Sequence, residues 1–383
     1  MRRPPIRVAE PVLDGNERDY VLDCLDSTWI SSRGKYIEQF EAAMADFCGV
    51  RYAVAANNGT TALHLALAAH DIGPGDEVIV PTLTYIASVN AIRYCGATPV
   101  FVDSTEPQMA LDPMDVQRKI TSKTRAILTV PLYGHPVAIK AITQIARQHG
   151  LHVIEDAAEA LGAKVDGKRV GSWGHCATFS FFGNKIITTG EGGMVVTDDP
   201  QLAERMRFLR GQAVSADRSY WHTDVGFNYR MTNIAAAIGC AQMERIDQHL
   251  RRRQQVARWY FERLEDSRGS LVLPDAQRDC DHSYWMYSVV LRPSLNLPRD
   301  VVIERLADQG IETRPVFYPV NWMPPYRETE GAYPVAEAFA RNGISLPTHG
   351  KLSEDDFEYV CRNLTRFVRE LTESPGRRGL RAA

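Results

Sequence analysis

From Arg51 to Asp198, short β-rich runs alternate with segments patterned as helices, and this alternation most narrows the folds open to the chain. The expected strands are Tyr52–Ala55, Glu77–Val80, Pro99–Val102, Ala126–Val130, His152–Glu155, Ala177–Phe181 and Gly193–Thr197. Several are nearly unbroken apolar runs, the pattern of strands covered on both faces in a mainly parallel sheet. Parallel neighbours need long crossovers, and Thr61–His70 and Ala138–His149 are patterned to supply helical ones. The second stops at Gly150, a residue suited to end a helix. The expectation is an α/β layered domain with crossover connections.

After Asn233 the texture changes. Ile234, Ile238, Ala241 and Ile246 recur at helical spacing, and a charged, aromatic stretch extends the pattern to Leu264. A strand-like Tyr284–Leu291 follows, then a helix over Arg299–Asp308 closed by Gly310, and a final helix over Glu354–Leu371. Residues 1–250 are therefore expected to form a large domain with an N-terminal arm, and 251–374 a smaller α+β domain. Residues 375–383, rich in Gly and Arg, read as a disordered tail.

With 383 residues and a formal net charge of -3, the chain is long enough for two domains and gives no reason to expect nucleic acid or an anionic membrane as partner. Arg251, Arg252 and Arg253 form a short basic run that reads as a solvated helix face. No stretch is apolar and long enough to span a bilayer, and Met1–Glu10 lacks the apolar run of a signal peptide. The seven cysteines are scattered, odd in number and without CxxC spacing, as expected of reduced thiols in a cytoplasmic protein. No metal is called for.

Three features could carry chemistry. Asn57-Asn58-Gly59-Thr60-Thr61 lies between a strand and a helix, where glycine permits close backbone approach and hydroxyls sit beside unpaired N–H groups. Such a turn can bind phosphate, although Asn and Thr are also ordinary helix caps. Asp156 stands at the C-terminal end of a buried strand, where open α/β sheets place ligands. A carboxylate there needs a partner, such as a protonated pyridine nitrogen, or else it caps the next helix. Lys185 follows a strand and a Gly183-Asn184 step, with Ser180 upstream as a second phosphate-binding hydroxyl. Buried lysines can present a neutral amine. Each signal is weak by itself, but all three fall at strand ends of one sheet, in the order a pyridoxal phosphate (PLP) site would use.

Further markers accumulate along the chain: Ser31-Ser32-Arg33-Gly34, Gly73-Pro74-Gly75-Asp76-Glu77-Val78, Leu132-Tyr133-Gly134-His135-Pro136, Glu155-Asp156-Ala157-Ala158-Glu159 and Asn228-Tyr229-Arg230-Met231-Thr232-Asn233. With these the sequence, from Pro11 to Leu371, resembles the DegT/DnrJ/EryC1/StrS sugar aminotransferases, a branch of the fold-type I PLP enzymes. The resemblance implies a mostly parallel, mixed seven-stranded sheet flanked by helices in the large domain. It implies Lys185 as the Schiff-base lysine and proton carrier, and Asp156 at the pyridine nitrogen. Glu159 would lie near the ring hydroxyl, Gly59, Thr60 and Ser180 at the phosphate, Tyr85 on the ring face, and Asn184 beside the cofactor. Asn228 would reach the phosphate of a neighbouring subunit, so a homodimer with a shared active site is implied.

Lysine at 185, where some relatives carry histidine, implies amine transfer over hydroxyl removal. Glutamate would convert PLP to pyridoxamine phosphate, which then aminates a nucleotide-linked keto-sugar. Thr82–Ala91, Phe181–Thr197 and Arg314–Pro319 resemble the branch that aminates C4 of GDP-4-keto-6-deoxymannose to give GDP-perosamine. Amination at C3 of a GDP-linked 3-keto sugar, or a PLP-dependent dehydration, is the alternative. Arg33 and Arg230 are candidates for diphosphate oxygens, and Tyr220, His222, Tyr318 and His349 for the sugar or base.

Overall fold

Seven short segments, each apolar enough to be covered on both faces, assemble into one sheet. A computed structural model describes residues 3–136 and 138–373; the expected tail at 375–383 lies outside them. The strands are β1 (Tyr52–Ala56), β2 (Glu77–Pro81), β3 (Thr98–Val102), β4 (Thr124–Thr129), β5 (His152–Asp156), β6 (Cys176–Ser180) and β7 (Gly193–Thr197). Their order is β1-β7-β6-β5-β4-β2-β3. Only β7 runs against its neighbours, pairing antiparallel with both β1 and β6. The remaining pairs are parallel, so the C-terminal ends of β2, β4, β5 and β6 share one sheet edge.

Helices cover the sheet where the sequence changes from period two to helical spacing. Near the N-terminus come α1 (Glu17–Asp26) and α2 (Lys35–Cys48). The crossovers include α3 (Gly59–Ala69), α4 (Ile86–Tyr94) and α5 (Ile139–His149), and α5 ends at Gly150 in the left-handed conformation. Asn58 starts α3 with a capping box: its side chain accepts from the Thr61 amide at 2.9 Å, and its own amide donates to Thr61 Oγ1 at 3.3 Å.

Beyond α6 (Asn233–Glu244) the long helix α7 (Ile246–Leu264) joins two hydrophobic cores. Ile246 packs in the core around the large sheet, whereas Val256, Ala257, Tyr260 and Leu264 pack in a second core. Residue 250, the expected boundary, thus falls within a continuous helix. The second core lies on a four-stranded antiparallel sheet of β8 (Leu271–Val272), β9 (Tyr287–Leu291), β10 (Arg314–Pro315) and β11 (Gly343–Leu346), in the order β8-β9-β11-β10. Helices α8 (Arg299–Asp308) and α9 (Glu354–Glu373) flank it. The N-terminal arm also joins this unit: Ile6 is buried in its core and bridges to Ile311.

The two units meet through the segment after β10. The Val320 amide donates to the Thr82 carbonyl at 2.8 Å, and Thr82 Oγ1 donates to Asn321 Oδ1 at 2.5 Å. These contacts bring Phe317 to the edge where β2, β4 and β5 end.

Candidate active site

Lys185 sits just past β6 in a turn closed by its amide, which donates to the Phe182 carbonyl at 2.9 Å. Its side chain, 13 % exposed, turns into the cleft and places Nζ 3.5 Å from Glu159 Oε1. On another side Nζ lies 3.9 Å from the centroid of the Trp285 ring. That indole is fixed by donating from Nε1 to the Asn184 carbonyl at 2.8 Å. The amine therefore has one carboxylate, one aromatic face and little water.

Asp156 ends β5 and is buried. Its Oδ2 accepts a 2.6 Å hydrogen bond from Ser88 Oγ in α4, and Oδ1 accepts from the Ala158 amide at 3.3 Å. Ser88 is in turn bonded to Thr84 Oγ1 at 2.9 Å. Glu159, also buried, accepts from the Tyr133 amide at 2.9 Å. Tyr133 holds this amide in place with a left-handed backbone, φ 57°, and its hydroxyl accepts from the Phe317 amide at 2.9 Å.

Burial sets the charge balance. It pushes the Asp156 and Glu159 carboxyls up, with the Lys185 charge working against the shift in both. It draws the Lys185 ammonium down, against the pull of the two carboxylates. A cleft that desolvates all three groups makes a neutral amine more accessible and leaves its carboxylates calling for a cation.

The residues present fit PLP. A Cβ added at Gly59 would lie 2.7 Å from Ser180 Cβ and 3.1 Å from its Oγ, so the gap between the α3 N-terminus and the end of β6 exists only with glycine. Thr61 Oγ1 is taken up by the cap and by Asn57 Oδ1, at 2.6 Å, leaving the half-buried Thr60 and Ser180 hydroxyls to face a ligand. A phosphate suits such a helix start. Asp156, buried and only partly bonded, suits a protonated ring nitrogen. The buried Asn184 Oδ1 has no hydrogen-bond partner.

The remaining expected site residues are distributed unevenly. Tyr85, 58 % exposed, caps α4 and lies 5.7 Å from Phe317, ring to ring. Asn228 and Arg230 are exposed and bonded to each other at 3.0 Å, while the Tyr229 carbonyl between them accepts from the Asn57 amide. Their backbone is thus pinned beside the Gly59 turn. Arg33 is exposed in the turn before α2, and lines a 960 Å³ cavity with Trp29 and Arg210. Tyr220 is 95 % exposed, and His222 Nδ1 donates to the Gln212 carbonyl at 2.7 Å. Among the described residues no hydrogen bond, ion pair or ring contact joins Arg33, Tyr220, His222, Arg230 or Tyr318 to Lys185, Asp156 or Glu159.

Tyr318 is 45 % exposed and its hydroxyl accepts from Arg299 Nη2 at 3.2 Å, while its neighbour Phe317 lies 5.2 Å from Tyr133. His349 is 4 % exposed and lies beside Arg253. One expectation needs correction. The Arg251–Arg253 run is not a solvated face, because the turn of α7 carries Arg253 inside to 5 % exposure. Sequence reasoning missed Ser88, Tyr133, Trp285 and Phe317. Ser88 lies three residues past Tyr85 on the same helix, a signal that was available; Trp285, distant in sequence, had none.

Known proteins are similar to this chain in sequence and fold. Residues 11–365 match the model of the DegT/DnrJ/EryC1/StrS aminotransferase family. The GDP-perosamine synthase of Caulobacter vibrioides is 55% identical over 366 residues, covering 95% of this chain and 99% of that protein. Streptomyces venezuelae DesV, solved with a ketimine intermediate, superposes with a TM-score of 0.89 at 36% identity, covering 96% of this chain and 99% of the other. A sugar-aminotransferase candidate from Streptococcus pneumoniae, solved in PLP and PMP forms, gives a TM-score of 0.91 at 27% identity over 96% of this chain and 99% and 98% of those.

Proposed function

The chain belongs to the DegT/DnrJ/EryC1/StrS aminotransferase family, and from that premise we propose that it transfers an amino group from glutamate to C4 of GDP-4-keto-6-deoxymannose, giving GDP-perosamine. The observation that carries the reading is the buried trio of Lys185, Asp156 and Glu159 at the C-terminal sheet edge, combined with 55% identity to a GDP-perosamine synthase over nearly the whole chain.

Bound in the cleft, PLP supplies an electrophilic carbon for the amine and a ring that accepts electrons. The gap at Gly59, with Thr60 and Ser180, would receive its phosphate. Asp156, held by Ser88, would face the ring nitrogen, with Tyr85 over the ring, Glu159 near its hydroxyl and Asn184 alongside. Lys185, drawn toward the neutral amine by burial, would take a proton at Nζ in each half-reaction and return it. Trp285 keeps water from that nitrogen.

We also propose a homodimer in which Asn228 and the exposed Arg33, Arg230, Tyr220 and His222 complete the partner's cleft. Leu22, Leu25, Trp29 and Ile30, 43 to 56 % exposed, form an apolar patch along α1 and the turn after it, in support of such an interface. Among the described residues no helix is long and apolar enough to cross a membrane. The unpaired state of all seven cysteines supports a cytoplasmic setting.

The test combines a spectrum and a mass. The purified protein with PLP should absorb in the visible, and Lys185→Ala should abolish that band while leaving the fold intact. Incubation with GDP-4-keto-6-deoxymannose and glutamate should yield an amine; a product that has lost a hydroxyl would place the protein among dehydratases.

A further inference from the structure

The turn after β4 reaches the buried trio through a strained residue. Tyr133 has φ 57° and ψ 10°, a left-handed conformation that residues with a Cβ rarely adopt. Its amide donates to Glu159 Oε2 at 2.9 Å, while its carbonyl accepts from the Met286 amide at 3.4 Å. Rotation about φ would turn one of these groups away from its partner. Further contacts hold the rotation where it is. The Tyr133 hydroxyl accepts from the Phe317 amide at 2.9 Å, and its ring lies 6.1 Å from Trp285 at an interplanar angle of 14°. The next carbonyl, of Gly134, accepts from the Ser283 amide at 3.0 Å. Gly134 itself has φ 98°, and a Cβ there would collide with Ser283 Oγ and come to 3.0 Å from the Trp285 amide. Segments distant in sequence thus clamp one backbone conformation, and that conformation presents one amide to Glu159.

The amide matters because Glu159 has little else. Among the described residues it is the only neutral donor to that carboxylate, whose other oxygen faces Lys185 Nζ at 3.5 Å. Asp156, by contrast, accepts from both Ser88 and the Ala158 amide. The charged groups facing Glu159 are Lys185 and Asp156, of opposite sign. Burial pushes the Glu159 carboxyl up; Lys185 and the Tyr133 amide oppose the rise, and Asp156 adds to it. Without the amide, a carboxyl this deeply buried moves toward its neutral form. Lys185 is faced by the same two carboxylates, Glu159 ahead of Asp156, and each favours its proton. A neutral Glu159 would therefore loosen that proton. Backbone strain persists where the surroundings over-determine it, and it gathers at sites that use it.

We propose that Tyr133 is a positioning residue: its clamped, left-handed backbone aims the amide that keeps Glu159 ionised, and Glu159 sets how tightly the Lys185 nitrogen holds its proton. Lys185 must take a proton and return it in each half-reaction, so this affinity bears directly on the chemistry. The inference rests on the aminotransferase reading above and adds to it a residue that acts through Glu159.

A spectrum tests it without any substrate. In the PLP-loaded enzyme, the pH midpoint of the visible band reports the proton on the Lys185 nitrogen. Tyr133→Ala loses the clamp but keeps a Cβ, so its backbone relaxes and the midpoint should fall by about one pH unit. Tyr133→Gly loses the same side chain yet adopts the left-handed conformation freely, and should keep the wild-type midpoint. Glu159→Gln should lower the midpoint by a similar amount, and adding Tyr133→Ala to it should produce no further shift. If Tyr133→Ala fails to fold by circular dichroism, Tyr133→Phe and Tyr133→Asn are read in place of the alanine and glycine pair. Tyr133→Phe, without the Phe317 bond, should lower the midpoint; Tyr133→Asn, which tolerates the left-handed region, should hold it. An unchanged midpoint in Tyr133→Ala, or in Tyr133→Phe where that is read, overturns the inference. Equal falls in both members of a pair also overturn it, as does a shift that survives in the Glu159→Gln background. All of these leave the aminotransferase reading intact. A wild-type enzyme that forms no visible band with PLP overturns that reading, and this inference with it.

Discussion

Alanine at Gly59 should close the gap between the start of α3 and the end of β6. The added carbon would fall 2.7 Å from Ser180 Cβ, where two carbons normally keep well over 3 Å. One side must move, and the soft one is Ser180, whose hydroxyl half-lines the gap. Overpacking of this kind costs about 1–3 kcal/mol. The helix itself offsets at most about 1 kcal/mol of that, since alanine is the better helix former. If the gap holds the cofactor phosphate, that cost appears in affinity, as a PLP dissociation constant raised about 5-fold to 150-fold. Spectroscopic titration of the apoenzyme with PLP measures it. The double variant Gly59→Ala/Ser180→Gly removes the clashing carbon, so it should bind PLP more tightly than the two single losses would predict by addition. Unaltered affinity in Gly59→Ala, or strict additivity in the double variant, would refute this placement of the phosphate.

Other outcomes follow from the same geometry. Ser88→Ala removes the 2.6 Å hydrogen bond that holds the Asp156 carboxyl down against burial. It should reduce kcat/KM by about 10-fold to 100-fold and move the acid limb of the pH profile upward, whereas an unchanged profile would mean Asp156 needs no support from α4. His135 tests the fold. Burial pushes its imidazole down to about 4, from 6.5 in the unfolded chain. The unfolded chain therefore binds the proton first as pH falls, and this residue withdraws stability from pH 6.5 downward, about 2 kcal/mol between about pH 7.5 and about pH 5. His135→Leu should lose that much less over the same interval in urea denaturation, and an identical loss in both proteins would contradict the assignment.

The large sheet was legible because its strands are apolar on both faces, a pattern that survives without knowledge of neighbours. Gly193–Thr197 and Arg299–Asp308 lie where the sequence places them. Tyr284–Leu291 starts late, at Tyr287, because Ser283 and Met286 bond back to Gly134 and Tyr133 and Tyr284 takes a left-handed turn. The parts of the cleft carried by strand ends, Asp156, Ser180 and Lys185, could be found because each sits at a break in an apolar run. Trp285 and Phe317 could not, since they are brought in by contacts between segments far apart in sequence, Trp285 by the bonds of Ser283 and Met286 to Gly134 and Tyr133 and Phe317 by its own bond to Tyr133, which no local pattern encodes. Arg253 was discernible in principle: Arg253, Val256, Ala257, Tyr260 and Leu264 follow the buried spacing of α7, and charge alone concealed it.

Transfer of a labelled nitrogen tests the central claim most directly. The enzyme, PLP, ¹⁵N-glutamate and GDP-4-keto-6-deoxymannose are incubated, and the product is read by NMR. The account predicts ¹⁵N bonded to C4 of the 6-deoxyhexose, with 2-oxoglutarate formed in equal amount. Label at C3, or a sugar that has lost oxygen without gaining nitrogen, would contradict it.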